Sequence, residues 1–137
     1  MTKLVIIYFV QIVILALLFN IGQTTVEESS GNDVASVHVI NGLPEKSKAM
    51  KIECSLKGKS VGIFHDLVVG DEYSWIVKEK GLYFCEAIWG SLVGSWHAFQ
   101  PRRDANHTSV FWLVKHNGFF LSWDNSTWIK RSTWETE

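Results

Sequence analysis

The sequence is poor in several residue types and patterns, and each shortage argues against a class of protein. There are only two cysteines among 137 residues, and no C-x-x-C pair. A zinc site is therefore disfavoured, because structural zinc sites use closely spaced Cys and His ligands. The ten glycines show no period of three, which excludes a collagen-like chain. No Walker loop, G-x-S-x-G, H-E-x-x-H or G-x-G-x-x-G motif occurs, so the sequence offers no familiar catalytic, cofactor or nucleotide signature.

The sequence also has almost no net charge. The 13 Lys and Arg residues nearly balance the 14 Asp and Glu residues, which gives a net charge of −1. Binding to nucleic acid needs a basic patch that neutralises phosphates, so we expect no nucleic-acid partner. The apolar fraction of 47% is normal for a globular core, and the length fits one domain. Seven tryptophans are many for this length and need an explanation.

The longest apolar run lies at the N-terminus. Lys3 precedes the segment Leu4–Phe19, which contains a single polar residue and is followed by small and polar ones. This pattern predicts a secretory signal peptide over residues 1–22, cleaved between positions 22 and 25, and hence a secreted, extracellular protein. The alternative is a membrane anchor, but the run is shorter than the roughly 20 residues that span a bilayer. Residues 23–33 are polar and aperiodic and predict a flexible mature N-terminus, and we expect no stable membrane insertion after cleavage.

The rest of the chain, residues 34–134, has the pattern of short β-strands. Apolar and polar residues alternate in segments such as Tyr73 to Val77, and turn residues separate the segments every 8–12 positions or so. No window sustains helical periodicity over three turns. The sequence therefore predicts an all-β domain, a small antiparallel β-sandwich of about 7–9 short strands. The pair Asn117-Gly118 predicts a type I′ hairpin turn, and Gly58 gives a weaker turn signal. The segment from Val61 to Val69 is a further strand candidate.

The interpretation of the two cysteines and of the two glycosylation sequons depends on secretion. In an oxidising compartment Cys54 and Cys85 are most simply paired, closing a loop of about 30 residues that adds roughly 3–4 kcal/mol in the chain-entropy model. Two buried free thiols are the alternative. The separation is too short for the pin between two immunoglobulin sheets, so that fold is rejected. Asn106 and Asn125 begin N-x-S/T triplets, and we expect a glycan on at least one of them.

Candidate catalytic residues carry no distinctive spacing. Cys85 and His97 come nearest to a thiol–base pair, but a disulfide competes for that cysteine. His65 reads as a surface histidine. The acidic residues are explained by solvation, and we predict that the protein is not an enzyme and needs no metal or cofactor. The carboxylates considered are Glu53, Asp66, Asp71, Glu72 and Glu86.

The tryptophans allow two interpretations. Trp75, Trp89, Trp96 and Trp112 lie inside predicted strands and are expected in the core. Those near the C-terminus lie among polar residues, where they either cover the end of the sandwich or form a stacking surface for sugar or protein. We favour the first interpretation because aromatic side chains tend to be buried. The C-terminal set is Trp123, Trp128 and Trp134.

Taken in order, several short motifs resemble one known family. An early Asn-x-Leu, a Cys-Ser, an aromatic-x-Cys followed by Trp, an Arg-Asp, and a Trp followed by a Gly-aromatic strand are spaced as in the plant self-incompatibility protein S1 family, also called S-protein homologues. The resemblance spans about residues 36–134. Members typically carry four cysteines, but residues 105–112 contain none, so the second disulfide should be absent. The motif residues are Asn41, Leu43, Cys54, Ser55, Gly62, Gly70, Trp75, Tyr83, Phe84, Cys85, Trp89, Arg103, Asp104, Trp112, Gly118 and Phe119.

This resemblance implies a secreted β-sandwich that acts as an extracellular ligand for a cell-surface receptor protein, in self-incompatibility or another reproductive or developmental process. A secreted carbohydrate-binding or defence module that uses exposed tryptophans is the alternative, and a secreted hydrolase is a third. Recognition in the family is attributed to loops between strands, and loops on a rigid scaffold commonly carry binding residues. The candidate loops are Leu43–Met50, Lys57–Ser60, Gly70–Glu72, Gly90–Gly94 and Pro101–Thr108.

Overall fold

The structure is a computed structural model that describes residues 2–21, 33–62 and 65–136. The chain divides into two compact units, residues 1–31 and 32–137. The described part of the first unit is one helix, α1 (Thr2–Ile21), in which the charged Lys3 is followed by the apolar run. Among the described residues, no helix combines the length and the apolar character that a membrane crossing needs. The expected flexible segment, residues 23–33, lies outside the described residues except for its last position.

The second unit is built from short strands, as the alternating pattern predicts. Burial alternates strictly along Ala35–Asn41 and along Glu72–Val77, because successive side chains of a strand point to opposite faces. The described strands are β1 (Ala35–Asn41), β2 (Met50–Leu56), β3 (Lys59–Ser60), β4 (His65–Leu67), β5 (Glu72–Val77), β6 (Tyr83–Trp89), β7 (Leu92–Phe99), β8 (Ser109–Lys115), β9 (Gly118–Ser122), β10 (Ile129–Ser132) and β11 (Glu135–Thr136).

These strands form two sheets, which confirms the all-β class. Sheet A has the order β10-β9-β8-β1-β5, and sheet B has the order β11-β7-β6-β2-β3, with β4 also pairing with β2. All pairs are antiparallel except β1 and β8, which run parallel in the middle of sheet A. Two-residue strands such as β3 and β11 bring the described strands to eleven, beyond the seven to nine expected.

The core lies between the inward faces of the two sheets. Val37 and Val39 of sheet A and Ile52 of sheet B are fully buried and belong to one cluster with the disulfide. Trp75, Trp96 and Trp112 are 8%, 5% and 1% exposed, which confirms their assignment to the core, whereas Trp89 is only partly buried and packs against it. Aromatic rings continue the cluster: Trp96 stacks on Phe119 at 4.4 Å between ring centroids and meets Trp112 at 5.9 Å. Much of the tryptophan content is thus core filling.

Cys54 and Cys85 form a disulfide, as expected. The two residues lie directly opposite each other on β2 and β6, so the bond joins neighbouring strands within sheet B. It does not connect the two sheets, which agrees with the rejection of an immunoglobulin pin. No free cysteine occurs in the described chain.

Of the two turns predicted from the sequence, the one at Gly58 is present and the one at Asn117-Gly118 is not. The hairpin between β8 and β9 exists, but its pairing of Lys115 with Gly118 makes His116 and Asn117 the central residues. Neither has a positive φ, so the predicted type I′ turn at Asn117-Gly118 is wrong. The weaker signal at Gly58 marks such a turn instead, because Lys57 and Gly58 have φ of 52° and 77° between the paired ends of β2 and β3.

The single strand considered for Val61 to Val69 is also wrong in extent. β3 ends at Ser60, residues 63–64 lie outside the described residues, and only β4 (His65–Leu67) is a strand in this stretch. Both β3 and β4 pair with β2, at its end and at its beginning respectively. β3 and β4 are therefore two short strands on the same neighbour, and β3 lies before the stretch that was considered.

Candidate functional site

The strand register sorts the connecting loops to two ends of the sandwich. Segments 42–49, 68–71, 90–91 and 116–117 follow or precede the strand ends nearest Asn41, and we call this the Asn41 end. Segments 57–58, 78–82, 100–108 and 123–128 lie at the opposite strand ends, and we call this the Asp104 end. The candidate loops are therefore divided between two separate surfaces.

At the Asn41 end, one buried amide holds two loops together. Asn41 is 1% exposed, and its Nδ2 donates to the Leu67 carbonyl oxygen at 2.8 Å. Its Oδ1 accepts from the Leu43 N–H at 3.0 Å. Its backbone N–H donates to the Asp71 carbonyl oxygen at 2.9 Å, and its own carbonyl accepts from the Gly70 N–H at 2.8 Å. Loops 42–49 and 68–71 are thus fixed to the end of β1 and to each other.

The outer part of these two loops is open to solvent and mixed in character. Glu45, Lys46 and Lys48 are exposed, and Lys46 has a φ of 65°, the left-handed conformation of a tight turn. On the neighbouring loop Val68 is 50% exposed and stands beside the exposed Asp71. Two charges of each sign and an apolar side chain are therefore displayed on loops whose bases are fixed.

At the Asp104 end, the corresponding buried polar group is a carboxylate. Asp104 is 1% exposed and accepts four hydrogen bonds. Oδ1 accepts from Arg103 Nε at 3.0 Å and from Trp123 Nε1 at 2.9 Å, and Oδ2 accepts from Arg103 Nη2 and the Gln100 N–H, both at 2.8 Å. The guanidinium also lies 5.2 Å from the Trp112 ring centroid. The Arg-Asp motif is therefore a nearly buried ion pair whose carboxylate is fully hydrogen-bonded, and it fixes loop 100–108.

The tryptophan that reaches Asp104 also joins the next loop to this cluster. Trp123 stacks on His107 with 4.4 Å between ring centroids and an interplanar angle of 10°. Beyond it, Asp124 Oδ1 accepts from the N–H groups of Ser126 and Thr127 at 2.9 and 2.8 Å and from the Ser122 hydroxyl. These hydrogen bonds, with the backbone N–H of Thr127 and then of Ser126 contributing most, hold the pKa of the Asp124 carboxyl well below its ordinary value. Loops 100–108 and 123–128 thus form one connected surface.

Both sequons lie on this connected surface. Asn106 and Asn125 are exposed and have φ of 67° and 59°, so each occupies a turn position in the left-handed region. Their threonine partners, Thr108 and Thr127, are exposed as well. Two glycans attached here would emerge from the Asp104 end.

The residues considered for catalysis are not brought together. Cys85 is in the disulfide, and His97 packs with Phe84 at 5.7 Å between ring centroids. Glu53 and Glu86 are directly opposite each other on β2 and β6, but both are exposed on an open sheet face.

The other acidic candidates are spread over different strands and loops. Glu72 Oε1 lies 2.9 Å from Nδ1 of His38, which stacks on Phe111, while Asp66 and Asp71 are exposed elsewhere. The side chain of His65 lies outside what the structure describes. In the described ranges no three Asp, Glu, His or Cys residues are grouped as metal ligands.

Two of the three C-terminal tryptophans cover the ends of the sandwich, as the favoured interpretation predicts. Trp123 is hydrogen-bonded to Asp104, and Trp134 donates from Nε1 to the Lys115 carbonyl oxygen at 2.8 Å. Trp134 also packs against Phe119 and Trp89, at 4.7 and 5.8 Å between ring centroids. Trp128 is half-buried, so these residues do not form a row of exposed stacking faces.

Sequence reasoning used Asn41 and Asp104 only as pieces of a motif and missed what they do. A signal for Asn41 was present, since it continues the inward positions of β1 after Ala35, Val37 and Val39. A polar residue at a buried strand position needs hydrogen-bonding partners, so its role in joining loops could have been inferred. For Asp104 no local pattern marked it as buried, because the indole that completes its hydrogen bonds belongs to Trp123, 19 positions away along the chain.

Comparison with known protein families identifies the family to which the chain belongs. The sequence profile described as plant self-incompatibility protein S1 matches residues 36–134, the same stretch that carries the motifs. Neither the curated proteins nor the solved structures returned a significant match. The matched stretch contains β2 to β10, all of β1 except Ala35, the disulfide, and the buried Asn41 and Asp104. The chain therefore belongs to the plant self-incompatibility protein S1 family.

Proposed function

We propose that the protein is a secreted recognition protein that acts as an extracellular ligand for a cell-surface receptor protein, in self-incompatibility or another reproductive or developmental process. Membership of a family of plant recognition proteins supports this function. The observation that carries it is the fixed loop pair at the Asn41 end, where a buried amide holds exposed charged loops on a rigid sandwich. Loops held in one conformation lose little entropy on binding, which favours specific recognition.

Secretion is the first part of the proposal. The apolar α1 is proposed as a signal peptide, residues 1–22, cleaved between 22 and 25. The disulfide supports an oxidising route, since such bonds form and persist in secreted proteins. Expression of the full chain in plant cells should release a protein into the medium whose N-terminal residue, read by sequencing, is residue 23, 24 or 25. Retention of the intact chain in the membrane fraction would contradict secretion.

We place recognition at the Asn41 end. Glycans on Asn106 and Asn125 would shield the Asp104 end, because glycans are bulky and occupy the surface around their attachment site. The loops at the Asn41 end contain neither sequon and display Glu45, Lys46 and Lys48. Peptide mapping by mass spectrometry should find a glycan on at least one sequon of the secreted protein, and its absence from both would remove this argument.

Binding to cells tests the receptor role. Labelled protein should bind the responding plant cells saturably, and protease treatment of the cells should abolish binding. The double variant Lys46→Glu with Lys48→Glu should weaken binding at least about tenfold, since charge reversal in an interface opposes docking. The matched control, Lys57→Glu with Lys59→Glu, changes two exposed lysines at the other end and should bind within about twofold of the original protein.

Two results would contradict this function. Equal loss of binding in both double variants would show that recognition does not lie at the Asn41 end. Saturable binding to free polysaccharide on a glycan array, with no protease-sensitive cell binding, would favour the carbohydrate-binding alternative. Expression restricted to the pistil would support a mating role, whereas expression in root or leaf would favour another process.

A further inference from the structure

A cavity of about 270 Å³ lies where the two sheets meet along one side of the sandwich. β7 of sheet B and β10 of sheet A flank it, and the side chains that line it include Phe84, Trp96 and Trp112. Its volume is slightly below the roughly 300–1,000 Å³ of pockets for drug-sized ligands, so it suits a smaller molecule. It is separate from the loops proposed for recognition at the Asn41 end.

The charged side chains that line this cavity are two arginines, of which Arg103 is paired with Asp104 and Arg131 is unpaired among the described residues. Arg103 and Arg131 both line it, and none of its described lining residues is Asp or Glu. Arg103 uses Nε and Nη2 to bind Asp104 and two carbonyl groups, and in the described chain its Nη1 makes no hydrogen bond. Arg131 is exposed, and its side chain has no ion-pair or hydrogen-bonding partner among the described residues. Two sets of guanidinium donors are therefore available to an acidic group.

Two polar side-chain atoms of lining residues are buried without partners. Trp96 is 5% exposed, and its Nε1 is buried with no hydrogen-bonding partner in the described structure. The same is true of Ser132 Oγ. A buried donor without a partner costs about 1–3 kcal/mol, so its presence calls for a ligand or water. An indole N–H only donates, and its missing partner must therefore be an acceptor.

The strands on both sides of the cavity are interrupted by bulges. On β10 the register passes from Lys130 to Ser132, which leaves Arg131 as an extra residue without a partner on β9. On β7 it passes from His97 to Phe99, which leaves Ala98 extra. Bulges redirect side chains and are common beside binding sites. One of the extra residues is the free arginine that lines the cavity.

We propose that this cavity binds a small organic carboxylate. Arg131 and Arg103 Nη1 would take the carboxylate oxygens, Trp96 Nε1–H would donate to a further acceptor oxygen, and the rings of Phe84 and Trp112 would contact the organic body. Aromatic faces beside guanidinium groups favour an organic acid such as a sugar acid over a bare inorganic anion.

Calorimetric titration of the protein produced from its full chain in plant cells tests this site, with D-galacturonate, D-galactose, sulfate and phosphate as the probes. Galacturonate should bind saturably and galactose should give no binding heat. Arg131→Gln should weaken galacturonate binding at least about tenfold, the factor for one lost charge-assisted hydrogen bond. Arg102→Gln removes an exposed, neighbouring arginine that does not line the cavity, and should bind within about twofold of the original protein.

A second variant examines the buried donor. Trp96→Phe removes Nε1 and should weaken binding about threefold to tenfold, the range for one neutral hydrogen bond, provided its circular dichroism matches the original. No binding heat from galacturonate would overturn the proposal, as would equal weakening by the two arginine variants. Binding of sulfate or phosphate without galacturonate would overturn the assignment to a carboxylate.

Discussion

At each end of the sandwich a buried polar side chain fixes the loops, but the two ends use different chemical groups. Each has one polar side chain that is 1% exposed and joins separate segments, Asn41 at one end and Asp104 at the other. The amide both donates and accepts, and its partners are the Leu67 carbonyl at the end of β4 and the Leu43 N–H in loop 42–49. The carboxylate only accepts, and it needs the charged Arg103 beside it. A neutral group can thus hold loops with backbone partners alone, whereas a buried charge requires a dedicated counter-ion.

Removal of the carboxylate should have the largest effect. Asp104→Ala leaves the nearly buried Arg103 without its partner, and breaking one side of a buried ion pair costs about 3–5 kcal/mol of unfolding free energy. Urea denaturation followed by fluorescence measures this loss. Asp66→Ala, at an exposed position on β4, is the control and should change the value by less than about 0.5 kcal/mol. A loss below 1 kcal/mol in Asp104→Ala would show that the pair is not a structural requirement.

The corresponding change at the other end should cost less. Asn41→Ala leaves the Leu67 carbonyl and the Leu43 N–H without their buried partner, at about 2–4 kcal/mol in the same denaturation experiment. Asn117→Ala is a matched control in an exposed turn. The variant Asn41→Asp sharpens the comparison, because it would place a carboxylate against the Leu67 carbonyl oxygen with no counter-ion. If Asn41→Asp were as stable as the original, the two ends would not differ as described.

A smaller loss of unfolding free energy is expected when one hydrogen bond between loops 100–108 and 123–128 is removed. Trp123→Phe keeps the ring but removes the 2.9 Å hydrogen bond to Asp104, which should lower the unfolding free energy by about 1.5–2 kcal/mol. Trp128→Phe, in the same loop, lacks such a bond in the described structure and serves as control. Equal losses in the two variants would mean that the indole N–H of Trp123 contributes nothing specific.

The smallest effect is expected when the pH is lowered and the Asp124 carboxylate is protonated. The hydrogen bonds to Asp124 lower its pKa, so the stability they give loop 123–128 is present above the usual Asp pKa of about 3.9 and is lost only as pH falls through the lower folded value. The amide resonances of Ser126 and Thr127 should therefore stay unchanged when the pH is lowered from 6 to about 4 and shift only in stronger acid. Asp124→Asn should remove that shift, and a shift centred near pH 4 in the original protein would contradict the assignment.

Much of the fold could be predicted because its strands have two distinct faces. The alternation of Tyr73, Trp75 and Val77 with polar residues follows directly from burial on one side of β5, and the disulfide follows from its two isolated cysteines. β10 gave no such pattern, since its first three residues are exposed and a bulge at Arg131 breaks the period of two. The cavity beside it was missed for the same reason.

The recognition loops could be located along the chain but not sorted into ends. Which loops share a surface depends on the pairing order, and a parallel pair such as β1 with β8 leaves no local signature. The turn at Asn117 illustrates the limit, because the residue types suited a type I′ turn while the register moved the turn back by one position.

The parallel pair also sets the order in which the chain can fold. Ser36 of β1 lies beside Ser109 of β8, 73 positions later, so a central strand of sheet A keeps one edge uncovered until most of the chain has been synthesised. Long-range strand pairing of this kind forms slowly, and an unpaired apolar edge is prone to aggregate. Truncation before β8 should therefore leave insoluble chain rather than a smaller domain. The sandwich therefore closes only after β8 to β11 have been synthesised.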